Sequence, residues 1–248
     1  MRHLVTWAII GVTLASSSSA QELGKPGQQV EGMMSSEAGE LKHLLYLPAK
    51  YDDYKETSWP VVIFLHGRGE SYGPLGLVAK WGPPRFAQRG DELPYVLVSP
   101  QCPGDGRWSD EVRQKQLSAL LDATLKQYRV DPDRVYLTGL SMGGYGSWTW
   151  AAREPQRFAA VVPICGGGNP DDADALKDLP IWVFHGDRDG AVPFQKSEDM
   201  VNAIREAGSK TIRFTSLEHV GHNSWTSAYA LPELYGWLLK QQRKADAE

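Results

Sequence analysis

Cysteine is scarce in this chain, with only Cys102 and Cys165 among 248 residues. Two thiols cannot build a disulfide scaffold or a four-thiolate zinc site. Basic charge is also short, 26 Lys and Arg against 30 Asp and Glu for a net charge of −4. With no basic surplus to neutralise phosphates, no nucleic-acid partner is expected. Long apolar runs are missing too. The longest mostly apolar stretch, Leu4 to Ala15, would rise only ~18 Å as a helix against a hydrocarbon core of ~30 Å. No membrane span is expected, and internal repeats and charge blocks are absent. What is plentiful is glycine, proline and aromatic side chains: 25 Gly, 16 Pro, 9 Trp, 10 Tyr and 6 Phe. That supply points to many tight turns and to an aromatic-rich surface or pocket. Hydrophobic residues at 42% and charged residues at 23% are ordinary globular values, which excludes global disorder and coiled coil.

The short apolar run does have a reading of its own. Met1-Arg2-His3 supplies a basic start, and Ser18-Ser19-Ala20 places small residues at the −3 and −1 positions of a cleavage site. Residues 1–20 are therefore expected to be a signal peptide cleaved after Ala20, sending the protein to the periplasm or the medium. No cysteine follows to take a lipid. Residues 21–40 are rich in Gly, Gln, Ser and Glu and have little to bury, so they are expected to be poorly ordered. A single domain should then fill residues 41–248.

Across that domain, apolar runs alternate with helical patterns. Strands are expected over 44–47, 61–65, 95–98, 135–138, 160–164, 181–184 and 211–214. The run Val61-Val62-Ile63-Phe64-Leu65 suits a strand covered on both faces. Between them, Leu117, Leu120, Leu121, Thr124, Leu125 and Tyr128 recur at three and four, forming one stripe of a helix. Further helices are expected near 142–154, 197–207 and 231–241. This alternation predicts an α/β fold with a mostly parallel central sheet of about seven to eight strands and helices on both faces. Ligands of such sheets bind outside the carboxyl ends of the strands, where these runs end in Gly, Pro or Ser.

One of those strand ends carries a nucleophile signature. Gly139-Leu140-Ser141-Met142-Gly143 follows a strand and opens a helix, so Ser141 is the expected nucleophile. A serine hydroxyl needs a base, and the base needs an orienting acid. Of six histidines, His222 lies after the last strand in a loop behind Gly221, where this chain order presents a base. His219 is its competitor in the same loop, and His66 and His185 each close a strand just before a glycine. The acid is expected from His185-Gly186-Asp187-Arg188-Asp189, with Asp189 preferred. Asp187 is then a turn former bonding its own backbone. Asp171, Asp172 and Asp174 read as a solvated acidic loop. Developing oxyanion charge calls for backbone amides, expected from Met142 and, in the turn 66–70, from Arg68. Glu70 in that turn either braces it or faces water. His219-x-x-His222 lacks an accompanying carboxylate or cysteine cluster, so no metal and no organic cofactor are expected.

Six motifs stand in order: His66-Gly67-x-Gly69-Glu70, Pro100-Gln101-Cys102-Pro103, Gly139-Leu140-Ser141-Met142-Gly143-Gly144, Pro163-Ile164-Cys165-Gly166-Gly167, His185-Gly186-x-x-Asp189-x-x-Val192-Pro193 and Gly221-His222-x-x-Trp225. Together they resemble α/β-hydrolase serine esterases of the small bacterial group akin to feruloyl esterases and polyhydroxybutyrate depolymerases. The resemblance spans about Leu41 to Lys240. It implies an α/β-hydrolase catalytic domain with Ser141 as nucleophile, Asp189 as acid and His222 as base, acting on small-molecule or polymer-linked esters. A peptidase or lipase of the same fold is the nearest alternative, and a non-catalytic binding module a more distant one.

Substrate contacts are expected from Trp81, Trp108 and Trp225, which fall in loops at the strand ends where rings can stack on an aryl or sugar-linked ester. The competing reading for each is a plug between loop and core. Cys102 and Cys165 close strands that this fold holds roughly 14 Å apart at ~4.8 Å per strand step, too far for a disulfide. Both are expected as free thiols.

Overall fold

The computed structural model describes residues 24–243, so the expected signal peptide lies outside the described residues. Among the described residues, eight strands form one sheet in the order β1-β2-β4-β3-β5-β6-β7-β8. They are β1 (Gln29–Ser36), β2 (Gly39–Tyr46), β3 (Trp59–Leu65), β4 (Val96–Pro100), β5 (Val130–Leu140), β6 (Ala160–Ile164), β7 (Ile181–Gly186) and β8 (Ile212–Leu217). Only β2 runs against the rest, pairing antiparallel with both β1 and β4. The expected mostly parallel sheet is present, and each of the seven expected strands overlaps one of β2 to β8.

Side-chain alternation along the central strands feeds two separate cores. On β3, Val61, Ile63 and Leu65 face one core while Val62 and Phe64 face the other. On β7, Ile181 and Val183 take the first side, and Trp182 and Phe184 take the second. Helices α2 (Glu111–Gln127), α3 (Met142–Arg153) and α5 (Gln195–Glu206) cover the first core through Leu117, Leu121, Trp148, Met200 and Ile204. The opposite core is closed by α1 (Gly82–Gln88), α6 (Trp225–Tyr229) and α7 (Pro232–Leu238), with Tyr229, Leu234 and Leu238 buried there. The short α4 (Ala173–Leu176) follows β6. A strand buried on both faces has no polar side to alternate, which is why these runs read as continuous apolar stretches. Among the described residues, no helix is long and apolar enough to cross a membrane.

The N-terminal expectation needs correction. Residues 29–36 are not poorly ordered; they form β1, in register with β2 from Gln29 opposite Tyr46 to Ser36 opposite Gly39. Only Met34 of this edge strand is buried. Its order comes from backbone hydrogen bonding to β2, which composition does not reveal. The hairpin turn is fixed by Ser36 Oγ, which accepts from the Ala38 amide at 3.2 Å and donates to Gly39 O at 3.2 Å. Gly39 sits at φ +99°, a conformation that disfavours side chains with a β-carbon.

Candidate active site

Strand β5 ends at Leu140 and α3 begins at Met142, leaving Ser141 alone on the turn with φ 53° and ψ −115°. A non-glycine residue rarely adopts this conformation, and it persists only where the surroundings enforce it. Close packing does so here. A β-carbon on Gly143 would lie 1.9 Å from Leu65 O, and one on Gly139 would lie 2.4 Å from Gly143 O. The first turn of α3 therefore rests directly on the end of β3, and Ser141 projects from the sheet edge.

The expected partners meet at this serine. Ser141 Oγ lies 2.9 Å from His222 Nε2, and His222 Nδ1 lies 2.7 Å from Asp189 Oδ2. His222 arrives on the loop after β8, which passes so near β7 that a β-carbon on Gly186 would lie 2.3 Å from Val220 O. The Asp189 side chain is fully buried. Its Oδ1 accepts from the Ala191 and Val192 amides at 2.8 and 2.9 Å. Burial pushes its carboxyl up, but the His222 bond and the two amides outweigh that and hold it below the ordinary aspartate value. Asp189 is thus ionised at neutral pH, as an acid that orients a histidine must be.

The competing residues lie elsewhere. Asp187 is exposed, and so is His219, in a left-handed conformation at φ 61°. Asp171 is exposed beyond β6, and Asp174 pairs with Lys177 at 3.1 Å.

The turn after β3 is a single 3-10 turn, Arg68–Ser71. Among the described residues, neither the Arg68 nor the Met142 amide has a protein acceptor. The Arg68 guanidinium donates to Gly106 O at 2.6 Å and to Tyr72 Oη at 2.9 Å. Glu70 is buried, which raises its carboxyl, and the Gln101 side chain donates to its carbonyl at 2.9 Å. Of the two readings for Glu70, facing water is the one its burial removes. A cleft of about 270 Å³ opens at Ser141, lined by Arg68, Arg107, Ser109, Met142 and Tyr145.

Of the three tryptophans expected at substrate, Trp108 is a correction. It is wholly buried, donates from Nε1 to His66 O at 3.1 Å, and stands edge-on to the His66 ring at 5.3 Å. It fills the space under the turn after β3, where a β-carbon on Gly146 would lie only 2.2 Å from the Trp108 β-carbon. Trp225 is half-buried and packs edge-on against His222 at 5.2 Å, with Trp81 beyond it at 6.0 Å. Neither of these lines the cleft at Ser141.

Two histidines assigned no role from sequence belong to the site. His66 donates from Nδ1 to Gly67 O at 2.6 Å and accepts at Nε2 from the Cys102 amide at 2.9 Å. Burial pushes it down to about 4, so it is neutral and its tautomer is fixed. His185 places Nε2 3.1 Å from Asp189 Oδ2. The strand-end His-Gly pairs were the visible signal for both, but sequence does not show which atoms they meet.

Both cysteines are free and buried, and burial pushes each thiol up to about 12. Cys165 has φ 40°, and its sulfur lies with Asp189 and His222 oxygen and nitrogen atoms within 4.8 Å of one another. These are the described residues most able to hold a metal. The carboxylate and imidazole there already bond each other at 2.7 Å.

A model of the dienelactone hydrolase family matches residues 104–228, just over half of the chain. The chain belongs to the dienelactone hydrolase family. The matched segment carries Ser141, Asp189 and His222, while the turn Arg68–Ser71 precedes it. A curated relative in Neocallimastix patriciarum, the bifunctional acetylxylan esterase/xylanase XynS20E, is 33% identical over 152 residues, 59% of this chain. This family member spans only 22% of that relative's length. Among solved structures, a thermostable esterase superposes with TM-score 0.76 at 32% identity, covering 87% of this chain and 64% of that one. The feruloyl esterase module from Clostridium thermocellum, solved with sinapinate as an S954A mutant, superposes with TM-score 0.68 over 90% of this chain and 92% of that one. At 14% identity that likeness shows the α/β-hydrolase fold alone.

Proposed function

We propose that this dienelactone hydrolase-family protein is a serine carboxylesterase in which Ser141, His222 and Asp189 form the catalytic triad. The observation that carries the reading is the continuous relay from Asp189 Oδ2 to His222 Nδ1 at 2.7 Å and from His222 Nε2 to Ser141 Oγ at 2.9 Å. Ionised Asp189 fixes His222 with hydrogen on Nδ1, leaving Nε2 bare to accept the serine proton. Ser141 Oγ then bonds the ester carbonyl carbon, and the carbonyl pair becomes an oxyanion held by the Met142 and Arg68 amides at the mouth of the cleft. Collapse expels the alkoxide, which takes the proton from His222 Nε2 and leaves as an alcohol. Water repeats the cycle on the acyl-enzyme, with His222 again as base, and releases the carboxylic acid.

Short-chain acyl and feruloyl or aryl esters are the substrate classes we assign, whether free or linked to a polymer. Support comes from the acetylxylan esterase relative, and from the Trp225 ring packed edge-on against His222 with Trp81 beyond it. Export through cleavage after Ala20 belongs to the same reading. It rests on the basic start, apolar run and small residues of positions 1–20.

The test compares the protein with Ser141→Ala on p-nitrophenyl acetate, butyrate and decanoate, methyl ferulate and a peptide anilide. The expected result is cleavage of the short or feruloyl esters, with kcat falling on the order of a million-fold in the variant, as for triad removal elsewhere. Ester cleavage that survives Ser141→Ala would refute the nucleophile, and preferential cleavage of the anilide would make the protein a peptidase.

A further inference from the structure

The triad acid is held by more than the triad. His185 closes β7 four residues before Asp189 and is fully buried. Its Nδ1 lies 2.8 Å from Ser197 Oγ, and its Nε2 lies 3.1 Å from both Asp189 Oδ2 and Val192 O. A carboxylate and a carbonyl both face Nε2, and neither can donate, so Nε2 must carry a hydrogen. Ser197 Oγ also lies 3.0 Å from Gly166 O. That carbonyl and Nδ1 share the one Ser197 hydrogen, so Ser197 holds the ring in place in either protonation state. Burial lowers His185 below the ordinary histidine range. The Phe194 ring, edge-on at 5.6 Å, closes another side.

Asp189 then receives four hydrogen bonds. Oδ1 takes two backbone amides, and Oδ2 takes one imidazole hydrogen from His222 and one from His185. The titratable groups around this carboxylate are those two histidines, Cys165 at the end of β6 and Tyr145 on α3. We propose that His185 is a positioning residue for esterase catalysis: a second imidazole that locks the Asp189 carboxylate toward His222 and draws off part of its charge. This rests on the triad reading above. Removing the bond has two consequences. The carboxylate loses one of its four fixed points, so His222 is held less firmly and kcat falls. It also keeps more charge on Oδ2, which favours the His222 imidazolium and moves the His222 titration to higher pH.

The experiment uses His185→Leu, which removes the donor, and His185→Gln, which returns an amide donor near the Nε2 position. We expect His185→Leu to lower kcat by about 10- to 100-fold, the size of one hydrogen bond to a charged group, with KM within about twofold. His185→Gln should recover most of that loss. His222 titration, followed through its Cε1–H signal by NMR on a Ser141→Ala background, should shift upward in the Leu variant and return in the Gln variant. A folded Leu variant with wild-type kcat and an unmoved His222 titration overturns the proposal. So does equal loss in both variants with the titration unmoved, which would leave His185 a packing residue. If the Leu variant fails to fold, ¹⁵N NMR of the unaltered protein decides: hydrogen on Nε2 at neutral pH supports the proposal, and a bare Nε2 overturns it. The NMR readouts need no substrate, so a failed esterase reading shows in the Ser141→Ala panel while the Asp189–His185 bond is still tested.

Discussion

Acid should weaken this fold through His66, by an amount the structure sets. The residue is 1% exposed, its Nε2 accepts from the Cys102 amide, and burial pushes it down to about 4 from an ordinary value near 6.5. Below about pH 6.5 the unfolded chain binds a proton at this position that the folded chain refuses until about pH 4. The unfolded state therefore binds more protons throughout that window, and stability falls as pH drops from about 6.5 to about 4. Above the window the term is flat. The difference of about 2.5 in pKa, at about 1.4 kcal/mol each, amounts to about 3 kcal/mol at full extent. Buried His43 and His185 are lowered in the same direction and contribute to the same decline, so the total alone would not identify His66. His66→Gln separates them, because its side-chain carbonyl is positioned to accept from Cys102 and does not titrate. Urea unfolding of both proteins at a series of pH values between about 7.5 and 4 gives two curves. The unaltered protein should lose about 3 kcal/mol more than the variant across that range. Parallel curves would refute the reasoning, since they would mean that His66 is charged or solvated in the native state.

Two further substitutions test the packing under the proposed triad. Trp108→Ala should cost about 3–5 kcal/mol in chemical unfolding, as large aromatic deletions in cores do, and should lower turnover of acetate and feruloyl esters alike. Selective loss on feruloyl esters would restore Trp108 to the substrate. Gly143→Ala places a β-carbon 1.9 Å from Leu65 O, and that backbone cannot retreat without moving β3. Esterase activity should be abolished or the fold lost, and a variant with wild-type melting temperature and activity would show that the turn at Ser141 is looser than the structure has it.

The core strands were legible because burial on both faces leaves an unbroken apolar run, as in Val61–Leu65, and such runs need no knowledge of their neighbours. Strand β1 was not, because what holds it is a backbone ladder to β2 and only Met34 is buried. Trp108 misled for a related reason: position in a loop at the active-site end says nothing about which way the ring turns, and here it turns inward beneath His66. The acid shows most plainly where local pattern ends and space begins. Turn chemistry suggested that Asp187 would bond its own backbone while Asp189 reached for His222. Asp189 instead does both, with Oδ1 accepting from the amides two and three residues on and Oδ2 accepting from His222. The four-residue step from His185 was the reason to prefer Asp189 over Asp187, and Asp189 is the one that meets His222, at 2.7 Å. That step was not enough to show that His185 and His222 share one oxygen, since that requires the loop after β8 to meet the end of β7, and no period or motif in a single sequence encodes their meeting.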